Sequence, residues 1–363
     1  MSTSAAFERS RFAQFGEIAA LLAERDEAVR DEATLEGLFF AALEGQSQHV
    51  RDTYLACLER PPEAGVDLAA YPDRRAAAGH LARAVMSDEF LGEFVRIATT
   101  AFPDAPRTFF LHIPKTAGSS VRTAFQEGGC HFVWDVSYAN RAVLVEERGW
   151  PWLFRELGRQ SAEPRRGIAV TGHMTAASLL TPGRVRDGDR AFTVVRRPEE
   201  AVVSALNYTF TTVLNHPGRA DADAFGGWIR KAGFALPASP QDVTPEMAEA
   251  VLLAPDLSAE WSRLLLRYLS PDGTIAGALN AASTLRMDVV AIEALRDYMA
   301  SQFQLPLPLT NTSHRFIPEF AALGRRARIH VLSEICREDL ALYDVLVRLM
   351  GDDGVLQLGR GPF

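Results

Sequence analysis

"FFLHIPKTAGSSVRTAF", residues 109–125, is the stretch on which the reading of this chain turns. Phe109 to Ile113 form an apolar run interrupted only by His112, which predicts a buried strand. Pro114 to Gly118 make a bend, and a helix-compatible segment follows from about Ser119. At the bend sit Lys115, the small residues Ala117 and Gly118, and the hydroxyls of Thr116, Ser119 and Ser120. Backbone N–H groups at a helix start favour an anion, Gly118 lets the chain approach it closely, and the hydroxyls add donors. The triphosphate-binding loop, G-x-x-x-x-G-K-[ST], places its lysine after the glycines. Here Lys115 precedes Gly118, so a phosphorylated ligand would be held in a different way.

The texture of "TFFLHI" (108–113) recurs twice, in "GIAVTGH" (167–173) and "AFTVVR" (191–196). Each β-rich run leads into a helix-compatible segment, beginning near Ser119, Thr175 and Pro198. This alternation predicts an α/β fold with a parallel sheet flanked by helices, its strands buried on both faces. Ligands in such sheets bind beyond the carboxyl ends of the strands. At the end of the third run Arg196 leaves the sheet. Pro198 suits the first helical position, Glu199 and Glu200 suit the first turn, and Ser204 lies two turns along. An arginine at a strand end forks onto a phosphate, with the serine as a further donor. Two anion sites on separate strand ends point to one ligand with two separated phosphates, such as a nucleoside 3',5'-bisphosphate.

Upstream, residues 1–102 read as an all-helical module. Phe12, Phe15, Ile18, Leu21 and Leu22 recur at helical spacing, Pro61-Pro62 stop a helix, and Ser87 with Asp88 and Glu89 start another. "PDAPR" (103–107) is a short linker, and residues 351–363 read as a carboxyl-terminal tail. The 363 residues carry a net charge of −8, with 47% hydrophobic and 23% charged residues. That balance argues against wholesale binding of nucleic acid. Cys57, Cys130 and Cys336 are scattered, giving neither a disulfide framework nor a metal spacing, and no metal-ligating motif is present. With no apolar signal core and no membrane-length apolar run, the expectation is a cytoplasmic protein in which the sequons at Asn207 and Asn311 are coincidental.

"HIPKTAGSS" followed by "FTVVRRPEEAVVSALNY" resembles the sulfotransferases that use 3'-phosphoadenosine 5'-phosphosulfate (PAPS), in particular the branch with carbohydrate enzymes of the heparan 2-O type. "VTGHM" (170–174), "LLLRYLS" (264–270), "MDVVAIEALRDYMASQF" with "LTNTSHR", and "EICREDLALYDVL" are similar, in order, to later elements of that family. The third of these is similar to a late helix and an Asn-x-Ser element. The resemblance covers about residues 107–349. It departs from the family at Arg197, where an aspartate is usual, and at Ala117, where a glycine or other small residue is common. A second resemblance, carried by Tyr54, Leu58, Arg60, Pro62, Gly65, Ser87, Glu89 and Phe90, is to a small helical module of unknown function found in bacterial surface and exported proteins. It implies a docking or packing unit.

The first resemblance implies a bacterial transferase moving a sulfuryl group from PAPS to a hydroxyl, most often on a carbohydrate, without a metal. Lys115 would stabilise the leaving phosphate and His173 would act as general base. Lys115, Thr116, Ala117, Gly118, Ser119 and Ser120 would hold the 5'-phosphate, and Arg196 and Ser204 the 3'-phosphate, with Arg315 reaching back to the donor. His112 is expected to be buried and hydrogen-bonded. Residues 215–251 read as a loop with short helices over the acceptor site, where Trp228 either stacks on a sugar or anchors the core. Arg267 is either structural or lines the acceptor cleft, and the run Arg325, Arg326, Arg328 either faces an anionic glycan or is solvated surface. Two other readings stay open: a metal-dependent kinase or nucleotide hydrolase on a related fold, and a non-catalytic nucleotide-binding or docking protein.

Overall fold

In a computed structural model of the chain, the structure describes residues 106–128, 131–135, 167–182, 185–218, 220–308 and 314–358, with the isolated positions Glu36, Gly37, Phe40 and Gly79. The helices expected within residues 1–102, and Asn311, lie outside the described residues. The chain divides into two compact units. One comprises Met1–Arg107 with Gly129–Val170, the other Thr108–Gly128 with Thr171–Phe363.

The second unit is built on a mostly parallel sheet with helices packed on it. Strand β1 (Arg107–Leu111) pairs in parallel with β4 (Arg190–Val195), Leu111 lying across from Thr193. Strand β4 pairs in parallel with β5 (Met287–Ala291), and β5 pairs antiparallel with the short edge strand β6 (Val355–Gln357). On the other side of β1, the His112 amide donates to the carbonyl of Gly172 (2.9 Å), at the end of β3 (Gly167–Gly172). Strand β2 (His131–Asp135) and the first four residues of β3 belong to the first unit.

All residues of β1 and β3 are buried, and β4 is exposed only at Arg190. This is what strands covered on both faces require. Phe192 of β4 is fully buried and stacks on Phe110 at 4.7 Å. It also meets Phe125 of helix α1 (Gly118–Glu127) and Tyr298 and Phe303 of a later helix at 5.2–6.5 Å between centroids within that group. Truncating such a phenylalanine costs roughly 3–5 kcal/mol, since neighbours cannot fill the hole.

Each predicted strand–helix step is present. Helix α2 (Ala176–Leu179) is capped by Thr175, whose hydroxyl accepts from the Ser178 amide (3.2 Å). Helix α3 (Pro198–Asn215) opens with Pro198 and the acids Glu199 and Glu200. Two sequence readings need correction. "MDVVAIEALRDYMASQF" is not one helix. Its first residues form β5, and only Leu295–Phe303 is helical. The burial of Met287 to Val290 against β4 decides this, because a short apolar run carries no period of its own. Residues 351–363 are not merely a tail, since three of them form β6.

Residues 215–251 are more regular than expected. After α3 comes helix α4 (Ala220–Lys231), then a short 3₁₀ turn and helix α5 (Pro245–Leu252). Their apolar faces join a core of Val203, Leu206, Phe210, Ile229, Val251 and Leu257, with Trp228 and Phe225 packed against it. Trp228 thus serves as an anchor. Asn207 is buried in this layer, donating to the Ile317 carbonyl (2.8 Å) and accepting from the Ile317 amide (3.0 Å). A side chain so engaged is closed to glycosylation.

Candidate active site

The site lies at the carboxyl ends of β1, β3 and β4. The bend after β1 is built with backbone strain, since Lys115 (φ 67°) and Ala117 (φ 65°) are both left-handed. Each such non-glycine residue costs on the order of 1–2 kcal/mol, so the surrounding structure holds the loop in this form. Ala117 therefore holds a conformation that a glycine would adopt without strain. The buried Thr116 donates its hydroxyl to the Ile113 carbonyl (2.7 Å). Its proton goes to that carbonyl and fixes the turn. Gly118 is needed for space. A Cβ there would lie 2.0 Å from Cε1 and Nε2 of His112. Ser119 is half-buried and Ser120 buried at the start of α1.

Three cations gather beside this loop. The Lys115 ammonium is held down to about pKa 8, first by burial and then by the charge of Arg196. Burial also lowers Arg196; Glu200 and Glu293 act against it, and Arg315 adds to it. Lys115 and Arg196, from neighbouring strand ends, are thus close enough to repel each other, and exposed Arg315 extends the group. The nearest carboxylate to the Arg196 guanidinium is that of Glu200, at a loose 3.9 Å. Ser204 is half-buried on α3.

Arg197, next in the chain, takes no part. Its guanidinium binds Glu199 at 2.6 and 2.8 Å, and this partner is 6% exposed. Arg197 therefore acts as the counter-charge to the buried acid Glu199.

His173 follows β3 and is exposed. Its Nδ1 lies 2.9 Å from the His112 backbone carbonyl. A carbonyl can only accept, so Nδ1 carries the proton and the lone pair of the neutral ring resides on Nε2. The ring stacks on His112 at 4.4 Å, and Tyr268 packs its edge against it at 6.0 Å. His112 is half-buried and also stacks on Phe110 at 5.6 Å. Burial first, then the charges of His173, Arg122 and Lys115, drive the His112 pKa well below the usual histidine range. It is a neutral packing element under the loop.

Beneath the loop, a cavity of about 10 Å³ is lined by Thr116, Arg196, Trp261, Cys336 and Asp339 among others. It has room for about one water. Burial raises the Cys336 thiol and pushes Asp339 up to about 6, although Asp339 accepts from the amides of Leu265 and Leu266.

Arg267 is exposed and donates to the Glu260 carbonyl, which ties it to its own surface. Arg325 and Arg326 are exposed and Arg328 half-buried on a short helix. Sequence reasoning passed over two residues. Tyr268 touches His173, and the Tyr208 ring lies 3.8 Å from the Lys115 Nζ. Tyr208 is one helical turn beyond Ser204, a spacing that could have singled it out. Among the described residues there is no cluster of three or more potential metal ligands, and no helix is long and apolar enough to cross a membrane.

Fold and site together define an α/β protein with a cationic, hydroxyl-bearing loop at the strand ends. Comparison with family models, curated proteins and solved structures finds no match.

Proposed function

We propose that the protein is a sulfotransferase that moves a sulfuryl group from PAPS to a hydroxyl of a carbohydrate. The observation that carries this reading is that Lys115 and Arg196 leave adjacent strand ends close enough to feel each other's charge, with Arg315 acting on Arg196. Cations packed together without strong counter-charges favour a polyanion, which relieves their repulsion and replaces lost hydration. A ligand with phosphates at its 3' and 5' positions matches cations supplied from two strand ends, and residues 117–120 offer backbone donors at a helix start.

In this reading the acceptor hydroxyl attacks sulfur in line. A sulfur–oxygen bond to the acceptor forms, and the bond from sulfur to the 5'-phosphate oxygen breaks. The hydroxyl proton passes to Nε2 of His173, whose tautomer the His112 carbonyl sets. Adenosine 3',5'-bisphosphate leaves with the electron pair. Lys115 meets the charge that grows on the departing oxygen, and Arg196 with Ser204 distinguishes the 3'-phosphorylated nucleotide from ordinary adenylates. Removing a positioned base costs about 10²–10⁴-fold in rate.

Calorimetric titration with adenosine 3',5'-bisphosphate in metal-free buffer tests the reading, with ATP and magnesium as the control. Binding of the bisphosphate that is lost in Arg196→Ala, together with sulfate transfer that is lost in Lys115→Ala, is the expected result. Preference for magnesium ATP, or no nucleotide binding at all, would overturn it.

A further inference from the structure

Lys115 belongs to a chain with 38 basic residues, of which only Lys115 and Lys231 are lysines. Among the described residues no carboxylate pairs with its ammonium. Its Nζ instead sits over the face of Tyr208, 3.8 Å from the ring centroid. That is well inside the range in which a ring's negative face attracts a cation. The ring is itself held. Phe225 meets it edge-on at 6.0 Å, and Trp228 packs against Phe225 at 5.0 Å. Both belong to α4 and pack on the apolar core, so the aromatic row is anchored from behind.

We propose that Tyr208 is a positioning residue for Lys115: its ring seats the ammonium at the lip of the loop until an anion takes it over. The chemistry favours a ring over an acid in this role. A carboxylate here would hold the lysine firmly and repel a polyanion. A neutral ring attracts the cation by only ~0.5–2 kcal/mol and yields to a phosphate oxygen. It also keeps the long side chain from sampling solvent rotamers, whose loss on binding would otherwise cost affinity. The left-handed backbone of Lys115 (φ 67°) is the strained conformation from which the side chain reaches the ring. Phe225 and Trp228 tie the seat to the segment placed over the acceptor in the reading above. The seat itself does not depend on that reading; its effect on catalysis does.

With only two lysines, biosynthetic labelling with [ε-¹³C]lysine gives one signal each for Lys115 and the exposed Lys231. Lys115→Arg assigns them. In the ligand-free, full-length protein the Lys115 ε-CH₂ protons are expected upfield, shifted by the ring current. The shift disappears in Tyr208→Leu and persists in Tyr208→Phe, which keeps the ring. A nuclear Overhauser contact between these protons and an aromatic ring proton in the unsubstituted protein needs no variant and guards against misfolding. An unshifted Lys115 signal with no such contact, or a shift unaltered by Tyr208→Leu in folded protein, would overturn the proposal.

If the protein transfers sulfate, Tyr208→Leu raises donor KM about 2- to 10-fold with little change in kcat, and Tyr208→Phe restores it. Equal losses in both variants would assign the effect to the hydroxyl and refute the seat. A seated lysine in a protein that binds no bisphosphate would refute the functional reading alone.

Discussion

Replacing Gly118 by alanine tests the packing on which the whole site rests. The added Cβ would stand 2.0 Å from Cε1 and Nε2 of His112 and 2.3 Å from Cδ2. Uncrowded contacts between such atoms lie near 3.5–4.0 Å, so the ring would have to retreat by about 1.5 Å. It has little freedom to do so. Its faces meet Phe110 at 5.6 Å and His173 at 4.4 Å, and its amide is bonded to Gly172 at 2.9 Å. Overpacking of this kind costs ~1–3 kcal/mol. Alanine's better helix propensity returns at most ~1 kcal/mol at this first helical position. The clash outweighs it, leaving a net loss of about 0.5–2 kcal/mol, read as a lower midpoint in urea with unchanged slope. The double variant with His112→Ala has room for the methyl group. The two substitutions should therefore couple by ~1 kcal/mol or more in favour of the pair. A Gly118→Ala protein as stable as the parent, or strictly additive substitutions, would refute the steric argument.

Other outcomes follow from the same loop. Because Lys115 loses its proton near pH 8, bisphosphate affinity should fall as pH rises through that value, while Lys115→Arg shows no such fall; calorimetry across pH 7–9.5 decides. The linked stability has the same origin. The folded protein holds this proton less tightly than the unfolded chain, so ligand-free stability should rise between about pH 8 and 10.4. Ala117→Gly removes an L-residue from φ 65°, worth ~1–2 kcal/mol, against a backbone-entropy cost of ~0.4–1 kcal/mol; a small gain in the urea midpoint is expected, and a loss would contradict the strain. Arg197→Ala leaves buried Glu199 without its partner and should cost ~1–3 kcal/mol of stability, with bisphosphate affinity unchanged within twofold. A selective loss of affinity would place Arg197 in the site.

Much of the fold was legible because local chemistry and tertiary demand agree there. Buried runs ending in polar residues predicted β1, β3 and β4, and Thr175 and Pro198 marked the helices after two of them. Strands β5 and β6 were not legible. "MDVVA" is a short apolar run readable as the start of a helix, and "VLQ" is too short to show a period. Within the site, the residue types were legible but their allegiances were not. Spacing does not tell that the Thr116 hydroxyl bonds the Ile113 carbonyl or that Arg197 pairs with Glu199. Tyr268 carried no local signal that set it apart from core aromatics, and Tyr208 only its place one turn beyond Ser204.

The sequence by itself determined the alternation of buried strand and helix and the residues that emerge at the strand ends, because burial and helix starts are written in spacing and residue type. Only the tertiary structure decided that Lys115 faces Tyr208 and feels Arg196, and that Gly118 clears His112. It also set the proton of His173 on Nδ1 through the His112 carbonyl. These depend on atoms far apart in the chain meeting at close range, where contact distance and loss of water, not residue order, set the energies.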